Sequence, residues 1–93
     1  MEFEWDEEKE QKNISKHHID FTMAAKVFFD ENVIVRYDEI HSVNEERYIA
    51  IGKVDDTILI LMVSYTMREE DRIRIISARP ALKREKERYY NGY

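Results

Sequence analysis

The hydrophobic pattern of this 93-residue chain changes its period near residue 32, and that change limits the folds available to it. Before this point, apolar residues follow the i, i+3, i+4, i+7, i+8 spacing of a helix that packs against a core: Phe21, Ala24, Ala25, Phe28 and Phe29. After it, apolar residues alternate with polar ones or form short continuous runs, as they do in strands. We therefore predict an α+β fold, with residues 1–93 forming a single domain.

The pattern predicts three helices and five strands. Helices are expected over residues 6–17, about 21–30 and about 80–91, and strands over residues 3–5, 33–37, 47–54, 58–65 and 72–78. Asp6 and Asp20 are the predicted N-caps of the first two helices. Pro80 suits the first position of the third helix, because its ring holds φ at a helical value. The predicted order is β-α-α-β-β-β-β-α, with a mainly antiparallel sheet and the helices packed mostly on one face.

The composition excludes several kinds of protein. The absence of cysteine rules out disulfides and thiolate metal sites. His17 and His18 are adjacent and His41 stands alone in a loop, so no metal site is predicted, and no cofactor motif or glycine-rich phosphate loop is present. The longest apolar run, residues 58–63, is too short to span a membrane, and the charged first 13 residues do not resemble a signal peptide. We therefore expect a cytoplasmic protein with no membrane partner.

Charge is distributed unevenly along the chain, whose formal net charge is −5. Residues 1–46 contain 13 acidic residues and five Lys or Arg, which gives −8. Residues 47–93 contain seven acidic residues and ten Lys or Arg, which gives +3. This asymmetry suggests an acidic back and a basic working side. A strongly basic domain would be a clearer indication of nucleic-acid binding.

Basic side chains near the end of the chain form the first candidate site. Arg74 and Arg79 bracket an Ile-Ile-Ser-Ala run, where guanidinium groups either keep a strand edge from pairing or bind an anion. Strand alternation predicts that Arg74 and Ser77 point to opposite faces, with Arg79 on the side of Ser77.

The last helix carries further cations that are either a solvated face or phosphate contacts: Lys83, Arg84, Lys86 and Arg88. Its predicted packing stripe is Leu82, Tyr89 and Tyr93 with the stem of Lys86.

The first helix is the second candidate. Lys9, Asn13 and the Lys16-His17 pair share one face by their spacing, and Ile14 is the only aliphatic residue in the helix. A helix that buries so little apolar surface indicates a role other than packing. His17 is either a structural residue or a proton-transfer group.

The order and spacing of these residues resemble the BrnT family of toxins. The N-terminal part of the resemblance comprises Phe3-Glu4-Trp5-Asp6, Lys9, Asn13, Lys16-His17, Asp20-Phe21, Ala24-Ala25 and Phe28. The C-terminal part comprises Glu46-Arg47, residues 49–52, Tyr65-Thr66, Arg68, the run Arg74 to Arg79, Ala81, Arg84-Glu85 and Tyr89. The resemblance covers nearly the whole chain, and the Arg-Ile-Ile-Ser-Ala-Arg run is its most specific part.

The resemblance implies a RelE-like ribonuclease fold and the toxin half of a type II toxin–antitoxin pair. It implies RNA as substrate, inhibition of translation, and a BrnA-type antitoxin that carries the complex to operator DNA, with a heterotetramer as the expected assembly. RNA cleavage without metal needs a base for the ribose 2′-OH, an acid for the leaving oxygen and cations for the developing charge. We assign the cationic role to Arg47, Arg68 and Arg79. Proton transfer is assigned to His17 or Lys16, with Glu46 as an alternative base. The expected substrate contacts are Arg74, Ser77, Lys83 and Arg84.

Two positions depart from the family pattern. His18 stands where the family commonly has glycine, so either His18 adopts a strained left-handed conformation or the first helix ends in another way. Pro80 stands where a basic residue is usual, which removes one possible phosphate contact.

Overall fold

The computed structural model describes residues 1–69 and 71–92. The strands are β1 (Glu2–Trp5), β2 (Ile34–Tyr37), β3 (Tyr48–Lys53), β4 (Ile60–Arg68) and β5 (Arg72–Pro80). The helices are α1 (Glu7–His17), α2 (Phe21–Ala25), which continues as a 3₁₀ helix (Lys26–Phe29), and α3 (Lys83–Asn91). The predicted α+β class and element order are confirmed. No helix in residues 1–69 or 71–92 combines the length and apolarity needed to cross a membrane.

The sheet has the strand order β1-β5-β4-β3-β2. The β1–β5 pair is parallel, and the β5–β4, β4–β3 and β3–β2 pairs are antiparallel. Alternate residues of β3 belong to two separate apolar clusters. Ala50 packs with residues of α2 and the 3₁₀ helix, whereas Ile49 and Ile51 pack with Tyr89 of α3. Thus α3 lies on the opposite face from α2, and it is the exception to the expected packing of the helices mostly on one face.

Helix α1 has the predicted start and a strained end. The Asp6 carboxylate accepts hydrogen bonds from the backbone N–H groups of Glu8 (2.8 Å) and Lys9 (3.2 Å), as an N-cap does. At the other end, His18 has φ 62° and ψ 28°, and its N–H donates to the Ile14 carbonyl. Of the two outcomes expected for His18, the structure shows the left-handed one, which is unfavourable for a residue with a Cβ atom.

A buried asparagine attaches α1 to the edge of β5. Strand β1 pairs with β5 only as far as Ile75, which leaves the edge beyond it without a strand partner. There the Asn13 amide donates to the carbonyls of Ala78 and Ile19, both at 2.9 Å, and accepts from the Ala78 N–H at 3.1 Å. Asn13 therefore takes the place of a neighbouring strand and fixes the face of α1 relative to β5.

Strand β5 contains a bulge that changes which side chains share a face. Ser64 of β4 pairs with Ser77 and Tyr65 pairs with Ile75, so Ile76 is an extra residue. An extra residue shifts the alternation of every side chain that follows it. As a result Ser77 and Arg79 lie on the same face as Arg74, and the prediction that they point to opposite faces is wrong.

The junction between β5 and α3 also differs from the prediction. Pro80 still pairs with Leu61, and the Ala81 N–H donates to the Ile60 carbonyl at 2.9 Å, so the chain stays extended past the proline. Helix α3 therefore begins at Lys83, and Pro80 is the last strand residue. The buried residues of α3 are Glu85 and Tyr89, and Ala81, just before the helix, is also buried, whereas Leu82 and Lys86 are exposed. Tyr93, predicted to join the stripe, lies outside the described residues.

Candidate functional site

Two adjoining hollows open on the α3 side of the sheet, and they share a floor made of Met62, Ile76, Ser77 and Arg79. The α1 hollow is further lined by Lys9, Lys12, Asn13, Lys16, His17 and Ala78. The loop hollow is further lined by Arg36, Asp38, Ile40, His41, Arg47, Ile49, Ser64, Arg84 and Glu85. Their volumes, 480 and 360 Å³, fall within the range of about 300–1,000 Å³ typical of small-molecule sites.

The charge around this floor is opposite in sign to the net charge of the chain. Three lysines and His17 line the α1 hollow, and no acidic side chain among the described residues does. Four arginines line the loop hollow against two carboxylates, those of Asp38 and Glu85. A concave surface lined mainly by one sign of charge concentrates counter-ions. The arrangement suits a polyanion lying across both hollows.

Arg79, at the centre of the floor, is held by a carboxylate from the next helix. Its two terminal nitrogens lie 2.8 and 3.0 Å from the two oxygens of Glu85, a bidentate pair. Burial acts to raise the pKa of Glu85, but hydrogen bonds from the Arg79 guanidinium and the Leu82 N–H outweigh it and lower the pKa. The carboxylate therefore stays ionised and fixes the orientation of the Arg79 side chain.

Arg47 enters the loop hollow with part of its hydrogen-bonding capacity unused. Its Nε is buried and has no hydrogen-bond partner among the described residues, the Glu45 carboxylate being 3.9 Å away. Its backbone is held on both sides, because its N–H donates to the Ser42 hydroxyl at 2.9 Å and its carbonyl accepts from the Asp38 N–H at 2.9 Å. A buried N–H without a partner is costly. The Arg47 side chain as a whole is 31% exposed and lines the loop hollow, so its positive charge faces an anion bound there.

A histidine–aspartate pair lies in the wall of the same hollow. The His41 Nδ1 is 2.8 Å from the Asp38 Oδ2; the Asp38 side chain is 8% exposed and that of His41 is 64% exposed. The sequence analysis does not predict this pair, because a lone histidine in a loop indicates neither a metal site nor a partner. The available signal was an aspartate three residues before a histidine in a polar loop, followed directly by Ser42.

Comparison with known proteins identifies the family. The family model described as the ribonuclease toxin BrnT of type II toxin–antitoxin systems matches residues 5–85. The chain belongs to the BrnT family. It is similar to the 1.1 Å crystal structure of the Brucella abortus ribonuclease toxin BrnT, with 27% identity, a TM-score of 0.69 and coverage of 89% of this chain and 99% of the other. No curated protein sequence matches the chain. The resemblance found in the sequence is thus confirmed.

Within this BrnT fold, six of the ten predicted site residues line the two hollows. Lys16 and His17 lie in the α1 hollow, Arg47 and Arg84 lie in the loop hollow, and Ser77 and Arg79 lie on the shared floor. Segments far apart in the sequence supply them, and the bulge at Ile76 and the edge contact of Asn13 bring them together.

The other four do not line either hollow. Arg68 and Arg74 lie beside Glu4, whose carboxylate oxygen Oε2 is 3.6 Å from the Arg68 Nε and 2.7 Å from an Arg74 terminal nitrogen. The hydrogen bond from Arg74 is the main cause of the lowered pKa of Glu4. Strand β1 places Glu4 directly beside Arg74 in the sheet, and the assignment of Arg68 and Arg74 to the site stays a prediction. Glu46 is exposed and its backbone carbonyl accepts from the Thr66 hydroxyl, and Lys83 is exposed on α3.

Among residues 1–69 and 71–92, no group of three or more His, Cys, Asp or Glu side chains has an arrangement that could hold a metal ion.

Proposed function

We propose that this BrnT-family toxin has a RelE-like fold and is a metal-independent endoribonuclease that cleaves RNA on the floor shared by the two hollows. The observation that carries the proposal is the convergence of cations from α1, β5, α3 and the loop before β3 on that floor. Ser77 and Arg79 are at its centre, and a phosphate there would have positive side chains on both sides. Arginine is suited to this contact, because its fork of donors matches phosphate oxygens and stays charged.

The proposed reaction is attack of the ribose 2′-OH on the adjacent phosphorus. Arg79 and Arg47 stabilise the negative charge that develops on the phosphate oxygens, since both side chains line the loop hollow. His17 or Lys16, in the wall of the α1 hollow, transfers a proton. Ser77 and Arg84 contact the substrate. The polar α1 helix is then explained by its position, since its cationic face lines the site and its attachment depends on Asn13 and not on apolar packing.

In the cell, we propose that the toxin acts in the cytoplasm and stops growth by inhibiting translation. Its partner is a BrnA-type antitoxin that neutralises it, and the toxin reaches operator DNA only through that antitoxin, in a complex for which a heterotetramer is expected. Support for the antitoxin comes from the family, which is described as part of a type II toxin–antitoxin system.

The test is expression of the chain alone, combined with RNA cleavage by the pure protein in the presence of a chelator. Growth arrest and chelator-resistant cleavage are expected. The double variant Lys16→Met/His17→Gln should lose most of the cleavage. Lys26→Met is the matched control, because Lys26 lies outside both hollows in an exposed pair with Asp55. Equal activity of both variants, or a pure wild-type protein without cleavage, would contradict the proposal.

An alternative function is that of a non-catalytic interaction domain in a DNA-bound toxin–antitoxin complex. The specific observation in its favour is the Arg79–Glu85 pair, which occupies both terminal nitrogens of the central arginine. In that case the wild type would bind its antitoxin and operator without cleaving RNA or arresting growth.

A further inference from the structure

The loop between β2 and β3 is built around the Asp38–His41 pair. The Asp38 carbonyl accepts from the Ser42 hydroxyl at 2.6 Å, and its N–H donates to the Arg47 carbonyl at 2.9 Å. Its carboxylate is nearly buried and accepts from His41. These bonds close the base of the loop and hold the imidazole against the wall of the loop hollow.

The pair fixes which nitrogen of His41 is free. A carboxylate has only acceptor atoms, so the Nδ1 beside Asp38 is the donor in this contact. The Nε2 of the neutral ring is then an acceptor, and the ring is 64% exposed. The charged groups that face His41 across the hollow are Arg36, Arg47, Arg84 and the Arg79–Glu85 pair.

We propose that His41 is a catalytic base of the toxin and that Asp38 is its positioning residue, an inference that rests on the proposed ribonuclease function. His41 lines the loop hollow and His17 lines the α1 hollow, and the floor with Ser77 and Arg79 lies between these walls. The two histidines therefore flank the place where the phosphate binds.

The chemical step balances with these two groups. The Nε2 of His41 removes the 2′-OH proton while the 2′ oxygen forms a bond to phosphorus. The bond from phosphorus to the 5′ oxygen breaks, and His17 gives that oxygen a proton. The products are a 2′,3′-cyclic phosphate and a 5′-hydroxyl end. Asp38 stabilises the imidazolium that forms on His41, as a carboxylate does behind a catalytic histidine.

The experiment compares His41→Gln, Asp38→Asn and His18→Gln, measured as kcat/KM for a short RNA over a range of pH. His41→Gln should lower kcat/KM by about 10²–10⁴-fold, the range for loss of a general base, and abolish the acid limb of the pH profile. Asp38→Asn should also lower kcat/KM, by up to about 10⁴-fold, because an amide no longer selects the active tautomer. His18→Gln is the matched control, since His18 lines neither hollow, and should leave the profile unchanged.

A modified substrate separates the base from the acid. When sulfur replaces the 5′ bridging oxygen, the leaving group needs no proton, so this RNA should restore cleavage by His17→Gln but not by His41→Gln. If His41→Gln does not fold, the imidazole of His41 can be titrated by NMR in the wild type, and its midpoint should coincide with the acid limb of the rate profile.

The outcomes distinguish the two proposals. The role of His41 would be overturned if the folded His41→Gln variant cleaved RNA at the wild-type rate with an unaltered pH profile. It would also be overturned if the NMR titration midpoint of the His41 imidazole lay away from the acid limb of the rate profile. Either result would leave the ribonuclease function in place. Absence of cleavage by the wild type would overturn the ribonuclease function and the role of His41 with it.

Discussion

Strand β5 carries arginines at both ends of one face, and their surroundings differ. Arg72 and Arg74 lie beside Glu2 and Glu4 of the parallel strand β1, whereas Arg79 lies on a floor that is surrounded by other cations. Five residues of extended chain separate Arg74 from Arg79, a distance of about 17 Å. At the first end acidic residues neutralise the arginines and join two strands. At the second end the Glu85 carboxylate pairs with Arg79 and orients it. We call these the β1 end and the floor end.

Removal of one arginine from each end tests whether the two ends differ in function. Arg79→Ala should abolish most RNA cleavage. It should also lower the free energy of unfolding by about 2–3 kcal/mol, because Glu85 loses its partner. This loss is somewhat smaller than that for a fully buried pair. Arg74→Ala should leave cleavage near the wild-type level with a smaller loss of stability. The measurements are RNA cleavage and denaturant unfolding.

A double variant separates the two effects of Arg79. Arg79→Ala/Glu85→Gln removes the unpaired carboxylate, so it should recover part of the stability without recovering cleavage. Recovery of cleavage, or equal losses of cleavage in Arg74→Ala and Arg79→Ala, would show that the two ends do not differ in function.

The second prediction concerns the edge of β5, which β1 covers at one end and Asn13 covers at the other. Asn13→Ala should lower the free energy of unfolding by about 2 kcal/mol, because Ala78 and Ile19 would be left with buried backbone groups and no partner. It should also reduce cleavage, since α1 would no longer be fixed against the floor. Thermal unfolding and cleavage assays measure the two effects.

Asn91→Ala, at the exposed end of α3, is the control for the general effect of replacing an asparagine. A stability loss no larger than that of Asn91→Ala would mean that the three hydrogen bonds of Asn13 do not hold α1 in place.

Sequence reasoning succeeded where local signals are strong. Asp6, Asp20 and the change of period near residue 32 were sufficient for the element order, and the spacing of Lys9, Lys16 and His17 was sufficient for the cationic face of α1. It failed where one residue changes the geometry. The bulge at Ile76 depends on how β4 and β5 pair, and no residue type there signals it, so strand alternation placed Arg79 on the wrong face.

The surroundings of each arginine also depend on strand pairing. Arg68, Arg74 and Arg79 have the same chemistry in the sequence, and only the parallel pairing of β1 with β5 shows that Glu4 meets the first two. The loop pair Asp38–His41 was missed because its meaning depends on the hollow that the loop faces. Fold class and family were therefore accessible from sequence, whereas the surroundings of each candidate site residue required tertiary structure.

The third prediction compares the acidic partners of the two ends as a function of pH. The pKa of Glu85 and the pKa of Glu4 are both lowered from 4.5 by neighbouring arginines, but Glu85 is buried and Glu4 is more exposed. A lowered folded-state pKa contributes stability that is present above pH 4.5 and is lost as pH falls through the folded-state value. Glu85→Gln should therefore weaken the acid dependence of stability more than Glu4→Gln does.

Unfolding free energies measured from pH 6 down to about pH 3, where carboxylates titrate, test this difference. A larger effect of Glu4→Gln would mean that the β1 end, and not the floor end, carries the stronger ion pair.

The smallest expected effect lies at the end of α1, next to His17 on the wall of the α1 hollow. His18→Gly should raise the free energy of unfolding by about 0.5–1 kcal/mol, because glycine adopts the left-handed conformation without the cost of a Cβ atom. His18→Ala is the matched control: it removes the same imidazole but keeps the strain, so it should change stability little. Since neither variant alters the floor, cleavage should stay unchanged in both. A gain in stability with alanine as large as with glycine would assign the effect to the imidazole. Loss of cleavage with glycine alone would instead show that the strained His18 backbone helps to position His17, and would extend the floor end of the site to the C-terminus of α1.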